Sequence, residues 1–464
     1  MTGGCLKTDT IAAIATAVSD SGIGIIRISG DDAIAIASRV YRSKDGRKRL
    51  ADVRSHTIHY GYICDGDELV DEVMTAVMRA PNTYTREDTV EIDCHGGILV
   101  MNRILDVILR NGCRLAEPGE FTKRAFLNGR IDLSKAEAVM DIIHSKNEFA
   151  LRSSVKQLKG AVSDKVRSLR GEILHEIAFI ESALDDPEHV SLDGYLERLE
   201  EKAVRIHGEL KKLIGSADNG KMLKDGIDTV IVGKPNAGKS SLLNLLVGEE
   251  RAIVTSVAGT TRDVLEESIR LHGIGLNIID TAGIRSTDDE VEKIGVEKAR
   301  KYAGNADLIV YVVDASLALD ENDEAIMEMI ADKKVIVLLN KTDLEQVVSE
   351  EAIVNRMPQV SIIRTSTKEN TGIDAFEQTI RQLFFGGEIA VNDELYITNQ
   401  RHKEALIESC ESMELVLKSL ADRMPEDFYS IDLMSAYASL GRIIGEDVGE
   451  DLVNEIFSKF CMGK

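Results

Sequence analysis

The sequence predicts a multidomain α/β protein. An amino-terminal α+β domain covers residues 1–120, a helical bundle is assembled from residues 121–216 and 385–464, and an α/β nucleotide domain, residues 217–384, is inserted between the two helical stretches. Three observations lead there. Short β-rich runs with turns between them fill the first 120 residues. From "SKAEAVMDIIHSKNEFALRSSVKQL" to about residue 215, apolar residues recur at helical spacing with almost no proline or glycine, and residues 390–464 have the same texture. Between these lie short runs that are apolar throughout, the pattern of strands buried on both faces of a mostly parallel sheet.

In chain order, "GIGIIRISG", "HTIHYGYIC", "LVDEVMTAVMRA" and "DTVEIDCHGG" are the amino-terminal strands, with two helical patterns among them. Cys94 and His95 are neighbours on a strand and point to opposite faces, so they are read as structure and not as a dyad. Ser134 with Glu137 has the S-x-x-E form of a capping box, which starts the first bundle helix there. The inserted strands are "DTVIVGK", "IGLNIID", "DLIVYVVDAS", "KKVIVLLNKTDL" and "SIIRTSTK".

Composition excludes several classes. No apolar run approaches the ~18 residues of a membrane span, and no basic n-region frames "TIAAIATAV" as a signal peptide. Six scattered cysteines without a C-x-x-C fit a reduced cytosolic protein. The carboxyl end "CMGK" lacks the pattern of a prenylation signal. The formal net charge is −23, so contact with RNA must go through a local patch or a partner. "YRSKDGRKRLADVR" and "RSSVKQLKGAVSDKVRSLRGE" are the candidate patches, each of which also reads as a solvated surface.

Gly233–Ser240, "GKPNAGKS", fits G-x-x-x-x-G-K-S/T, follows a predicted strand and opens the helix "SSLLNLLVG". Such a loop wraps phosphates with backbone N–H groups from Asn236, Ala237, Gly238, Lys239, Ser240 and Ser241. Lys239 reaches the β- and γ-phosphates and Ser240 ligates Mg²⁺. In "NKTD", Asn340, Lys341, Thr342 and Asp343, the last carboxylate accepts the two guanine donors that adenine lacks, which selects GTP. "TSTK" at 365–368 falls where such domains cover the base. "TSVAGTT", Thr255, Ser256, Val257, Ala258, Gly259, Thr260 and Thr261, places Thr261 as the second Mg²⁺ ligand. "DTAG", Asp280, Thr281, Ala282 and Gly283, faces Mg²⁺ and the γ-phosphate.

The residue after DTAG is Ile284, where many GTPases carry a water-orienting glutamine. An arginine finger supplies roughly 10³–10⁵ in rate, about 4–7 kcal/mol. Two in-chain substitutes are visible. A monovalent cation at Asn236 with carbonyls of "TSVAGTT" supplies the charge, or a carboxylate among Asp288, Asp289, Glu290 and Glu292 holds the water. Arg262 and Arg285, as fingers, are a further option for which surface salt bridges are the default reading. The acidic group also reads as a solvated helix start.

"GKPNAGKSSLLN", "AIVTSVAGTTRD", "IIDTAGIR" with "DEVEKIG", the terminal "FSKFCMGK", and "PNTYTREDTVEIDCHGG" with "PGEFTKRAFLNGRIDLSKAEA" together resemble the MnmE (TrmE) family of tRNA modification GTPases over the whole chain. The resemblance implies an amino-terminal folate-binding domain, a helical domain and a Ras-like P-loop GTPase domain. It implies a K⁺- and Mg²⁺-dependent homodimeric cytoplasmic enzyme. With an FAD-containing partner, MnmG, it modifies carbon 5 of the wobble uridine of certain tRNAs, adding a carboxymethylaminomethyl or aminomethyl group. The family's K⁺ ligands fall on Asn236, Thr255, Val257 and Thr260, and its water-positioning glutamate on Glu292. Its contacts to 5-formyl- or methylene-tetrahydrofolate fall on Arg27, Glu91, Arg130 (a lysine in the family) and Lys464. Cys461 is a further candidate for chemistry, with a packed apolar role as the alternative. A rival class, an RNA-binding or ribosome-assembly GTPase, calls for a basic module beside the nucleotide domain, and this chain has acidic helical flanks without a GxxG loop.

Overall fold

The computed structural model describes residues 9–145, 147–186, 189, 194–248, 267–271, 274–279, 304, 306–385, 395–446 and 448–463. The chain divides into two compact units. One runs to Met140 and adds Gln157–Ile173 and the stretch from Tyr437 onward; the other holds Asp141–Lys156 and Leu174–Ala436.

The first unit is built on β1 (Ile11–Ile14), β2 (Ser21–Ser29), α1 (Ala33–Val40), β3 (Tyr41–Ser43), β4 (Thr57–Asp65), β5 (Glu68–Met78), β6 (Thr89–Gly96), α2 (Ile98–Arg110), β7 (Arg114–Leu115), α3 (Glu120–Leu127) and α4 (Leu133–Ile143). Seven strands form one sheet in the order β3-β4-β5-β6-β2-β1-β7. Side chains alternate across it. Ile26, Ile28, Val90 and Ile92 point to a core shared with Ile36 of α1 and Met101, Ile104 and Ile108 of α2. Arg27 therefore faces the other way, and the register sets it opposite Glu91. The same alternation buries Cys94, whose thiol donates to the Gly24 carbonyl, and exposes His95, which pairs with Asp71 at 2.7 Å. Phe457 and Phe460 pack with Ala125, Leu133 and Ala136.

The start of α4 differs from the sequence expectation. Asp132, not Ser134, caps the helix: Asp132 Oδ1 accepts from the Lys135 N–H at 3.0 Å and from Ser134 Oγ at 2.7 Å. A carboxylate two residues earlier meets the open amides first, and Ser134 becomes its donor and not the cap.

The second unit carries most of α5 (Glu148–Leu158), the later part of α6 (Ala161–Asp185), and all of α7 (Tyr195–Asp225). The nucleotide domain follows with β8 (Ile227–Val232), α8 (Lys239–Gly248), β9 (Glu267–Leu271), β10 (Ile274–Ile278), β11 (Leu308–Asp314), α9 (Glu321–Ile330), β12 (Val335–Asn340), α10 (Glu350–Val354), β13 (Ser361–Arg364) and α11 (Ile373–Phe385). Helix α12 (Gln400–Ala421) and the first part of α13 (Glu426–Ile444) belong to this unit, while the rest of α13 and α14 (Glu450–Ser458) belong to the first. The six strands order as β13-β12-β11-β8-β10-β9, parallel except for β9 against β10. The sheet is buried on both faces: Ile231, Val310, Val312 and Leu338 pack on one side, and Val230, Val232, Tyr311 and Leu339 on the other. Gly226 alone separates α7 from β8. Its N–H donates to the Met222 carbonyl at 3.0 Å, and Asn277 Nδ2 donates to the Asp225 carbonyl at 3.0 Å. Among the described residues no helix is long and apolar enough to cross a membrane.

Candidate functional site

The phosphate loop leaves the carboxyl end of β8, a central strand, and runs into the amino end of α8. This is the crevice position at which parallel α/β sheets bind ligands. Asn236 takes a left-handed φ of 60°, which asparagine tolerates better than most side chains, and it is exposed at the loop rim. Lys239 donates to the carbonyls of Gly233 at 2.6 Å and Lys234 at 2.7 Å, and burial pulls its ammonium below the ordinary lysine range. Gly238 sits at φ 103°, and a Cβ there would lie 2.1 Å from Asn340 Nδ2. That close approach explains the glycine before the lysine.

Asn340 ends β12. Its Nδ2 donates to the Ala237 carbonyl at 2.9 Å, and its Oδ1 accepts from the Thr367 N–H at 3.2 Å. One side chain thus joins the phosphate loop, the NKTD segment and the TSTK loop. Asp343 accepts from Ser366 Oγ at 2.8 Å, with the Lys368 ammonium 3.7 Å away. The Ser366 hydroxyl, aided by Lys368, holds the Asp343 carboxyl below its usual range, so it is ionised and ready to accept two donors from a base. Lys341, at φ 65°, reaches Asp314 Oδ2 at 2.6 Å, and Thr342 Oγ1 donates to the Thr365 carbonyl at 3.0 Å. The arrangement suits a guanine at one end and phosphates at the other.

Sequence reasoning left three contributors unnamed. Ser366 fixes Asp343, Asp314 fixes Lys341, and Lys234 reaches across to Asp323 at 2.7 Å and Asp320 at 3.0 Å. Asp320 and Asp323 form the capping box of α9, so that helix start and the phosphate loop are tied together. The D-x-x-D spacing at 320–323 was the available signal for the cap. The Lys234 contact has no local signature.

Glu292 and Thr255, Ser256, Val257, Ala258, Gly259, Thr260, Thr261, Asp280, Thr281, Ala282 and Gly283 lie outside the described residues, as does Lys464. Ser240 and Ser241 occupy the first turn of α8, where its open amides face the loop.

A second cluster lies in the first unit. Arg27 Nε donates to Glu91 Oε1 at 2.7 Å, and its Nη1 donates to the Gly463 carbonyl at 3.1 Å. The Arg27 guanidinium is 5.4 Å from the Tyr84 ring centre and 5.6 Å from that of Phe121. Arg130 stacks on the same Tyr84 ring at 4.4 Å, and its buried Nε has no hydrogen-bond partner. Two of the three described residues expected to hold folate, Arg27 and Arg130, therefore share one aromatic ring, and Glu91 is joined to them through Arg27. Tyr84, which sequence reasoning passed over inside "PNTYTRED", is the common platform of the two arginines. Cys461 is exposed, and its carbonyl accepts from the Gly119 N–H at 3.3 Å.

Two family models match the chain: the GTP-binding protein TrmE N-terminus over residues 10–130 and the MnmE helical domain over residues 133–461. A tRNA modification GTPase MnmE from Lachnoclostridium phytofermentans is 58% identical over 459 residues, 99% of this chain and 100% of the relative. Those of Enterococcus faecalis and Geobacillus thermodenitrificans are 47% and 48% identical over 100% and 98% of this chain, and 100% and 99% of their own lengths. Among solved structures, a point variant of Aquifex aeolicus Era bound to GDP·AlF4⁻ aligns at 28% identity over 41% of this chain and 67% of its own, with a TM-score of 0.27. The full-length relatives and the two domain matches place this chain in the MnmE family of tRNA modification GTPases.

Proposed function

We propose that this GTP hydrolase of tRNA modification uses K⁺ in place of an arginine finger and works with an FAD-containing partner on carbon 5 of the wobble uridine. The observation that carries the nucleotide half is the bond from Asn340 to the Ala237 carbonyl, which unites base and phosphate recognition around an ionised Asp343. Lys239 and the α8 amides bind the phosphates, and Ser240 with Thr261 holds Mg²⁺. Asn236 fits a monovalent cation, because its exposed amide oxygen at the loop rim is the neutral, hard donor such an ion takes. Thr255, Val257 and Thr260 complete the donor set. A cation there supplies positive charge beside the β- and γ-phosphates. Glu292 orients the attacking water, so Ile284 has no chemical duty.

The amino-terminal cluster fits a tetrahydrofolate. The Glu91 carboxylate suits the donor edge of a pterin, while Arg27, Arg130 and Lys464 suit its carbonyl and carboxylates, and the unpaired Arg130 Nε has a donor to give. Residues 1–120 then form the folate-binding and dimerisation domain. Residues 121–216 and 385–464 form the helical domain, and residues 217–384 the GTPase domain. The working assembly is a cytoplasmic homodimer joined by MnmG in a heterotetramer.

The test is GTP hydrolysis in K⁺ and in Na⁺ at equal ionic strength. Hydrolysis rises sharply in K⁺ on this reading, and equal rates would remove the cation mechanism. Equilibrium dialysis against 5-formyltetrahydrofolate tests the second half, which fails if wild-type protein retains none.

A further inference from the structure

We infer that the loop following β3, together with the cavity beside it, is a docking surface for the phosphate backbone and loop bases of RNA. The chain carries a net charge of −23, yet Arg42, Lys44, Arg47, Lys48, Arg49 and Arg54 all lie exposed within thirteen consecutive positions, against two acids, Asp45 and Asp52. Asp45 is engaged within the loop through its Oδ1, which accepts from Ser43 Oγ at 2.8 Å and from the Arg47 N–H at 3.3 Å. Arg42 reaches Asp67 at 3.3 Å. Among the described residues, the other five cations form no ion pair. Elsewhere in the same unit Arg103 pairs with Asp65 and Glu68, Arg110 with Asp65 and Arg114 with Asp9, while exposed Arg39 and Arg86 each donate to a backbone carbonyl, so the loop differs in carrying five unpaired cations close together. A group of unmatched, mutually repelling cations on an acidic protein is relieved by a polyanion.

The cavity gives this surface a shape. It has a volume of about 330 Å³ and is lined by Tyr41, Lys44, Lys48, His59 and Tyr60 among others, with one carboxylate, Asp45, on its wall. Tyr60 is 46% exposed, the Lys44 ammonium lies 5.4 Å from its ring centre, and the Tyr62 ring is 6.3 Å away. Exposed aromatic faces interleaved with cations are how proteins take unpaired bases and their phosphates. A concavity admits a strand or loop, whereas a flat bilayer bridges it. β3 is the edge strand of its sheet, so no further strand covers the approach. That the RNA is a tRNA rests on the proposed function.

The experiment uses the full chain and fluorescently labelled deacylated tRNA, with affinity followed by anisotropy across a salt series. The Lys44→Ala/Arg47→Ala/Lys48→Ala/Arg49→Ala variant should bind tRNA roughly tenfold more weakly or worse at low salt. Its slope of log affinity against log salt should be shallower by about 3, the loss of four phosphate contacts. A control, Arg152→Ala/Arg205→Ala/Arg356→Ala/Arg364→Ala, removes the same charge from other exposed sites and should keep wild-type affinity within about threefold and an unchanged slope. GTP hydrolysis in K⁺ should be unchanged in both variants, which separates a failure here from a failure of the cation mechanism. Four outcomes overturn the inference: no tRNA binding by the wild type, an unchanged slope in the loop variant, an equal loss in the control, or loss of binding to phosphatidylglycerol vesicles with tRNA binding intact.

Discussion

Asn340 Nδ2 lies 2.9 Å from the carbonyl oxygen of Ala237, and the same side chain accepts the Thr367 N–H through its Oδ1. A base-reading segment and a phosphate loop 103 residues apart in sequence are thereby held in one geometry. Asn340→Ala leaves a carbonyl and an N–H without partners, each costing about 1–3 kcal/mol when buried. GDP affinity should fall roughly 30-fold or more, the lower end of that range, measured by titration with a fluorescent GDP. A dissociation constant within threefold of wild type would show that the link is incidental.

Glu292→Ala should lower kcat for GTP about 10²-fold or more while GTP affinity stays near wild type, the pattern of a group that acts only as the transition state forms. Single-turnover hydrolysis beside nucleotide titration separates the two quantities. A matched loss of affinity would assign Glu292 to folding or binding instead.

Tyr84 lies under two guanidinium groups at 5.4 and 4.4 Å. Each such contact contributes about 0.5–2 kcal/mol. Tyr84→Ala should weaken binding of 5-formyltetrahydrofolate roughly 2- to 30-fold by freeing Arg27 and Arg130. Tyr84→Phe keeps the ring face and loses only the hydroxyl contact to Thr122, so calorimetric titration should find it close to wild type.

Asp132 links stability to pH. Burial works against its charge, but the Ser134 hydroxyl, the Lys135 N–H, and the Lys135 and Arg167 side chains outweigh it, and the carboxyl is held below its usual range. A depressed folded pKa gives stability that is present above the unfolded value of about 3.9 and is lost as pH falls through the folded value. Asp132→Ala should therefore cost about 1–2 kcal/mol at pH 7, the scale of a lost helix cap, with a lower melting temperature. The gap to wild type should narrow below about pH 3.9. A gap that stays constant with pH would mean the cap acts through packing alone.

Much of this architecture could be read from the residues because the signals were local. Runs such as "TVIVG" and "VIVLLN" are apolar at almost every position, and both faces of their sheet are indeed covered. The phosphate loop was legible because its glycines answer a backbone demand, and Gly238 shows that demand as a 2.1 Å conflict with Asn340. The misplaced cap was an error of rank: two oxygen-bearing side chains competed for the same amides, and spacing alone could not show that Asp132 meets them first. What stayed hidden was non-local. Tyr84 becomes a platform only when "PNTYT" and "FLNGR" are folded together, and Ser366 becomes the partner of Asp343 only when β12 and β13 lie side by side. No periodicity encodes such meetings.

Helix α7 is 31 residues long, about 46 Å at ~1.5 Å per residue, and a single glycine joins it to the strand that delivers the phosphate loop. Because Asn277 clasps the last helical carbonyl and the Gly226 N–H is already engaged, the joint has little slack. The helix is a lever whose fulcrum lies at the amino end of β8, the strand whose other end delivers the phosphate loop. A tilt of β8 by a few degrees sweeps the remote end of α7 through several ångströms, so the long rod magnifies at its tip what is small at its root.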